Sequence, residues 1–229
     1  VQGNLLLDHL VGATVEIVDA QVGPELDALI IEAADKFRRQ GRRVYGWDRK
    51  HVKARAAVSY VLCMAELVDQ LQQQSIEPAA VYLCSSGSTG AGLVLGKAAL
   101  NRSFALRHML PIHWPWDEQE DMCRIANSTA ELLGLDIRVD RSEIEISGDY
   151  VGRAYGIPTS EGMEAIRVLA RTEGVLLDPV YTAKAMAGLI DHVRAGKFTK
   201  DQTLVFIHTG GTPALFAYRD ELVSEFVPT

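Results

Sequence analysis

The stretch that decides the reading is Cys84-Ser85-Ser86-Gly87-Ser88-Thr89-Gly90-Ala91-Gly92. It follows Ala79-Ala80-Val81-Tyr82-Leu83, an apolar run with the length of a buried strand. It precedes residues 93–100, which read as the start of a helix. A strand, a loop of Gly, Ser and Thr, then a helix makes a cradle for a phosphate. Glycines admit close approach, successive N–H groups point at the anion, and the helix dipole favours negative charge. The hydroxyls of Ser86, Ser88 and Thr89 add donors. The same composition also serves plain tight packing of a turn. Two familiar phosphate loops are excluded: no Gly-Lys-Ser/Thr ends the stretch, and Gly87, Gly90 and Gly92 miss the Gly-x-Gly-x-x-Gly spacing of dinucleotide folds. The loop suits a single phosphate.

Outward from this loop, helix and strand patterns alternate. On the N-terminal side, residues 5–10 read as a short helix stopped by Gly12, and residues 13–18 and 42–45 read as strands. Apolar residues three and four apart predict helices over 26–39 (Leu26, Leu29, Ile30, Ala33, Phe37) and 55–74 (Val58, Val61, Leu62, Ala65). On the C-terminal side, a strand lies within 104–112, and a helix over 117–133 ends at Gly134. Short alternating pieces follow at 137–140 and 144–146. Helices run from Thr159 to about residue 171 and over 183–194, and a last strand covers 203–207. Such alternation predicts an α/β fold with a parallel sheet. Ser75-Ile76-Glu77-Pro78 is a weak break between two parts, 1–76 and 77–229.

The net charge of −7 over 229 residues disfavours binding to nucleic acid or an anionic membrane surface. No apolar run reaches membrane-spanning length. Cys63, Cys84 and Cys123 are far apart, which fits neither a disulfide framework nor a Cys-x-x-Cys metal site, and points to a reduced, cytoplasmic compartment. The chain opens at Val1, without Met, directly in apolar and folded-looking sequence, which leads us to expect further residues upstream.

A second loop, His208-Thr209-Gly210-Gly211-Thr212-Pro213, ends the last strand. In open parallel sheets ligands bind beyond the carboxyl ends of the strands, so both loops can face one pocket. Tyr155 and Tyr181 sit in loops ahead of helices, where a phenol either lines a pocket and donates a proton or packs with its hydroxyl satisfied locally. Asp178 reads as an acceptor at a helix entry. His108, His113 and His208 share no metal spacing, and no metal is expected. Lys97 and Lys184 either reach a phosphate or lie on a solvated face.

Several stretches together resemble the family of D-cysteine desulfhydrases and 1-aminocyclopropane-1-carboxylate deaminases, pyridoxal-phosphate enzymes of the tryptophan-synthase-β-like fold, fold type II. They are Gly3-Asn4-Leu5-Leu6-Leu7-Asp8, Ser86 to Gly92, Tyr155-Gly156-Ile157-Pro158 and Glu161-Gly162-Met163-Glu164-Ala165. Two longer ones follow, from Leu177-Asp178-Pro179-Val180-Tyr181-Thr182 to Ile190 and from Phe206-Ile207-His208-Thr209 to Tyr218. The resemblance implies three-layer, mostly parallel α/β architecture in two domains. Residues 1–76 would be the remainder of the smaller domain, and 77–229 the larger cofactor-binding one. It implies that Ser86, Gly87, Ser88, Thr89 and Gly90 hold the phosphate of pyridoxal 5'-phosphate. Thr209 would face the pyridine nitrogen with Thr182 nearby, and Tyr181 and Tyr155 would face the substrate.

The implied activity is α,β-elimination from a small amino acid, most simply D-cysteine to pyruvate, ammonia and sulfide, in a homodimer. Ring opening of the cyclopropane substrate or desulfonation of L-cysteate are alternatives. Thr182 stands where the cyclopropane deaminases carry Glu, which favours the desulfhydrase side. Family members also carry an upstream segment with the cofactor-binding lysine and a Ser-Asn substrate grip. No lysine of these 229 residues replaces it by motif, so alone they would form a non-catalytic remnant. Trp47-Asp48-Arg49-Lys50-His51 departs from the Gly- and Ser-rich pattern of relatives, which bears on substrate identity.

Overall fold

The structure is a computed structural model and describes residues 1–20, 22–46 and 49–223. Three helices come first: α1 (Gly3–Leu10), α2 (Pro24–Arg39) and α3 (Arg49–Gln73). Strand β1 (Pro78–Cys84) leads through α4 (Gly87–Ala99) to β2 (Ala105–Met109). Then come α5 (Glu118–Leu133), β3 (Glu145–Ser147), α6 (Ser160–Thr172), α7 (Thr182–Arg194), β4 (Thr203–Ile207) and the short α8 (Thr212–Leu215). Among the described residues no helix is long and apolar enough to cross a membrane.

The four strands form one sheet in the order β3-β2-β1-β4, and every pairing is parallel. Side chains alternate along β1, and both sets are buried. Val81 and Leu83 pack with Leu93 and Leu95 of α4, Met122 and Ile125 of α5, and Met64 of α3. Ala80, Tyr82 and Cys84 face the other way, toward Ala185 of α7. Met163 and Ile166 of α6 join Met186 on that second side. The result is a sheet between two helical layers, the α/β architecture with a parallel sheet that the alternating pattern predicts. The register puts Leu83 beside both His108 and Ile207, and Cys84 beside Met109. The carboxyl ends of β1, β2 and β4 therefore lie at one edge.

Two predicted strands do not form. Residues 13–18 and 42–45 join no ladder and have no regular structure. Ile17 is 82% exposed and Tyr45 86% exposed. An extended run is stable only where neighbouring strands take its backbone groups and a face buries its side chains. Residues 137–140 likewise form no strand, although the neighbouring piece supplies β3. Helix α4 begins at Gly87 rather than Leu93, so most of the glycine loop is the first turn of a helix. Trp47 and Asp48 lie outside the described residues.

The glycines of α4 divide by role. Gly87 takes a left-handed φ of +54°, and a Cβ there would touch nothing. A Cβ on Gly92 would collide with the Ala57 carbonyl oxygen of α3, and one on Gly96 would fall 2.7 Å from Met64 Cβ. One on Gly90 would collide with Met122 Cε and lie 3.1 Å from His108 Nδ1. Gly90, Gly92 and Gly96 are thus glycines because helices and strand approach closely there. Gly92→Leu is expected to destabilise the fold by about 3 kcal/mol through overpacking. Gly134→Ala, at an open left-handed helix end, is expected to cost only about 1 kcal/mol. Urea unfolding of the two variants measures the difference, and equal midpoints would refute the close-packing role.

Candidate active site

Four segments meet at the common strand edge and enclose a cavity of about 340 Å³. The β1–α4 turn gives Cys84, Ser85, Ser86 and Thr89, and the segment after β2 gives Pro111. The turn before α7 gives Tyr181, and the loop after β4 gives Thr209, Gly210 and Gly211. Asn4 of α1 and Tyr60 of α3 complete the wall. The volume falls within the usual range for a small-molecule site.

One end of this cavity is built for an anion. The first N–H groups of a helix have no intrahelical partner, here those of Ser86 to Thr89. Ser86 sits at the N-cap in extended conformation, and its side chain does not cap the helix. The Gly87 N–H is taken by the carboxylate of Glu118, at 2.6 Å. The amides and hydroxyls of Ser88 and Thr89 remain as donors. Glu118 is itself buried, and its other oxygen accepts from Trp116 Nε1 at 2.8 Å. Burial pushes its pKa up, against the two hydrogen bonds that favour the charged form.

The Tyr181 and Thr209 parts of the wall rest on Asp178. Its buried carboxylate accepts from the backbone N–H groups of Val180, Tyr181 and Thr182, each at 2.9 Å, and from Thr182 Oγ1 at 2.7 Å. Asp178 is the helix-entry acceptor that its position suggests. Thr182 Oγ1 in turn accepts from the Asp178 N–H, so this hydroxyl is engaged on both sides. Thr182 is fully buried and does not line the cavity. Gly211, at φ +97°, packs so closely on Asp178 that a Cβ would collide with the carboxylate. This contact brings the Thr209 loop against the Tyr181 turn. His208 braces the same loop: its Nδ1 accepts from Gly210 N–H at 3.2 Å, which leaves the proton on Nε2 for the Leu176 carbonyl at 2.9 Å.

Tyr155 and Tyr181 come together across 26 residues of sequence. Their hydroxyls are hydrogen-bonded, and their rings meet edge to face at 6.0 Å. Tyr218 donates to the Gly156 carbonyl at 2.6 Å and so fixes the turn carrying Tyr155. Burial, then the contact with Tyr155, pushes the Tyr181 phenol well above its ordinary range. Lys184 takes neither expected position. It is fully buried, and Nζ donates to the Val151 carbonyl at 2.7 Å and more weakly to Pro111 at 3.4 Å. No lysine lines the cavity among the described residues.

The sequence-predicted set therefore divides. Ser86, Thr89, Tyr181 and Thr209 line one cavity, with Tyr155 bonded to Tyr181 and Gly87 and Ser88 in the same turn. Gly90 serves packing, and Thr182 serves the Asp178 turn. Glu118, Tyr60 and the Ser85–His108 pair are groups that sequence reasoning did not single out. Ser85 Oγ lies 2.7 Å from His108 Nδ1, inside the cavity wall. Nothing in the spacing of these residues signals their contacts, which cross 23 and 31 residues.

The chain matches the family described as "Pyridoxal-phosphate dependent enzyme" over residues 1–210, and it belongs to that family. The cofactor of the family is pyridoxal phosphate. Among individual relatives, it is 37% identical over 221 residues to the D-cysteine desulfhydrase of Serratia proteamaculans (strain 568), covering 96% of this chain and 66% of that protein. It is also 37% identical over 216 residues to the D-cysteine desulfhydrase of Salmonella typhi, covering 94% and 64%. A crystal structure of an "ACC deaminase homologue" superposes with a TM-score of 0.85 at 32% identity, over 97% of this chain and 66% of that one. The fold is thus that of the fold type II pyridoxal-phosphate enzymes. The chain spans just under two thirds of the length of these relatives.

One consequence of the site is a pH dependence of stability. His108 is fully buried, and burial holds its pKa down at about 3. The unfolded chain binds that proton near pH 6.5, the folded one only near 3. The stability is therefore complete above pH 6.5 and falls by about 1.4 kcal/mol per pH unit below it. His192, also held low chiefly by burial, acts in the same direction. Urea unfolding between pH 7 and pH 5 is expected to show this slope, reduced by about one proton in His108→Gln. An unchanged slope in the variant would refute the assignment.

Proposed function

We propose that this chain supplies the phosphate cradle, the ring-contacting loop and the substrate-facing phenols of a pyridoxal-phosphate-dependent lyase. The reaction proposed is α,β-elimination from a small amino acid of the D-cysteine type, giving pyruvate, ammonia and hydrogen sulfide with consumption of one water. The observation that carries it is the single cavity joining the Ser86–Thr89 helix end, the Thr209 loop and Tyr181. A helix end with free donors, a loop hydroxyl and a phenol on one cavity wall suit a phosphate, a ring and a substrate respectively. When bound, the cofactor delocalises the electron pair left as the substrate Cα–H bond breaks.

The residues of this chain divide the remaining work. Ser86, Ser88 and Thr89 bind the phosphate, with Gly87 forming the turn. Thr209 meets the ring with a hydroxyl, which is too weak an acid to give up its proton. Tyr181 is held protonated, so it serves as a donor, to the substrate carboxylate or to the departing sulfur, and not as the base. Tyr155 orients it through their shared hydrogen bond. The base and the amine that carries the cofactor are assigned to a lysine in the part of the relatives' length that this chain does not span. The homodimeric state belongs to the same reading and rests on the family likeness; the cytoplasmic location rests on the three widely spaced cysteines.

A second reading is a binding module without catalysis, favoured by the absence of any amine from the cavity wall among the described residues. Borohydride reduction of the purified full-length protein with pyridoxal phosphate, followed by intact mass, separates the two. A reduced adduct on a lysine supports the enzyme, and no adduct supports the module. Product analysis then distinguishes sulfide from the 2-oxobutanoate of ring opening and the sulfite of desulfonation. Tyr181→Phe is expected to lower kcat about a hundredfold with cofactor affinity unchanged. Thr89→Phe is expected to weaken cofactor binding at least about tenfold, measured by fluorescence titration. Retained affinity in the Thr89 variant would remove the phosphate-cradle assignment.

A further inference from the structure

The cradle holds a negative charge where the proposed ligand brings its own. Glu118 is the first residue of α5, buried, with one oxygen on Gly87 N–H at 2.6 Å and the other on Trp116 Nε1 at 2.8 Å. Both partners are neutral N–H groups. The nearest cation, Lys53 of α3, has its amine on Asp121 at 2.6 Å, and Arg124 binds the other oxygen of Asp121. Lys53 also lies 5.8 Å from the Trp116 ring. His113, from the segment after β2, shares the neighbouring cleft with Glu118, Gln119 and the stacked pair Trp114–Trp116. Among the described residues no ion pair reaches Glu118. The indole fixes the second oxygen, so the carboxylate is not free to rotate away from the loop.

We propose that Glu118 is a positioning residue that sets the phosphate affinity of the cradle. Its carboxylate fixes the Gly87 amide, so that an incoming phosphate meets Ser88 and Thr89 beside a fixed negative charge. Adjacent Cα atoms are about 3.8 Å apart, so an anion on the Ser88 and Thr89 amides sits within several ångströms of that carboxylate. At this range repulsion between a carboxylate and a dianion is substantial even in a well-screened protein environment. Glu118 thus holds the turn in shape before the ligand arrives and limits how tightly the phosphate is then held. Nothing in this requires Glu118 to touch the ligand.

The inference rests on the phosphate-cradle reading, and its test keeps the two apart. In the full-length protein, the affinities of pyridoxal phosphate and of pyridoxal, which lacks the phosphate, are measured for wild type and Glu118→Gln at a pH where the phosphate is dianionic. The Gln side chain keeps one oxygen as acceptor for Gly87, gives up the acceptor for Trp116 Nε1, and removes the charge. The expected result is about tenfold tighter binding of pyridoxal phosphate with pyridoxal unchanged. Equal or weaker binding of pyridoxal phosphate by a variant of wild-type melting temperature overturns the proposal. Weakening of both ligands overturns it too, since that is what a purely structural role gives. Glu118→Ala, measured in the same way, removes the charge by another route if the Gln variant does not fold. If wild type itself binds the two ligands equally, the cradle reading fails and this inference falls with it, whereas a wild type that prefers pyridoxal phosphate with an unimproved Glu118→Gln overturns this inference alone.

Discussion

The cavity exists because β1 is hydrogen-bonded in parallel on both sides and buried on both faces. Parallel pairing with β2 and β4 in a fixed register ends the three strands at one edge. The turns after Cys84, Met109 and Ile207 must then share that edge. A slip of one residue would turn Val81 and Leu83 away from α4 and α5 and put Tyr82 among them, so the apolar pattern locks the register. The close α3–α4 contact at Gly92 and Gly96 holds the helix whose first turn forms the cradle.

On this frame, each site group is held by another group that does no chemistry. Asp178 organises the turn that presents Tyr181, and its contact with Gly211 brings the Thr209 loop alongside. His208 braces that loop from below its tip, and Tyr218 fixes the turn of Tyr155. Lys184 ties the segments after β2 and β3 together through two backbone carbonyls. A buried amine held this way has its pKa lowered, chiefly by burial.

The polar groups around the cavity also share a charge logic. Burial moves the buried groups toward their neutral forms: His108 and Lys184 downward, Glu118, Cys84 and Tyr181 upward. A site biased toward neutral side chains leaves a bound dianion as the dominant local charge. At Glu118 the hydrogen bonds from Gly87 and Trp116 oppose this upward push without reversing it.

The sequence by itself determined the alternation of helix and strand, the parallel sheet, and the strand–turn–helix at Cys84 to Gly92, because these follow from local periodicity and turn chemistry. It also determined Asp178 as a helix-entry acceptor, since such contacts reach only a few residues ahead. Residues 13–18 and 42–45 read as strands because their composition is that of strands. Whether a strand forms is decided by neighbours to pair with, which is a tertiary matter. The tertiary structure alone decided that Gly90 and Gly92 serve packing while Gly87 serves the turn, since the difference lies in what a Cβ would meet. It alone placed Thr182 inside the Asp178 turn, Lys184 on backbone carbonyls, and the Glu118 carboxylate on Gly87. The Lys184 and Glu118 contacts join residues 31 or more apart in the chain, and no spacing along a sequence encodes a distance across a fold; the Thr182 contact is local, but which way its hydroxyl turns is decided by the burial of the turn.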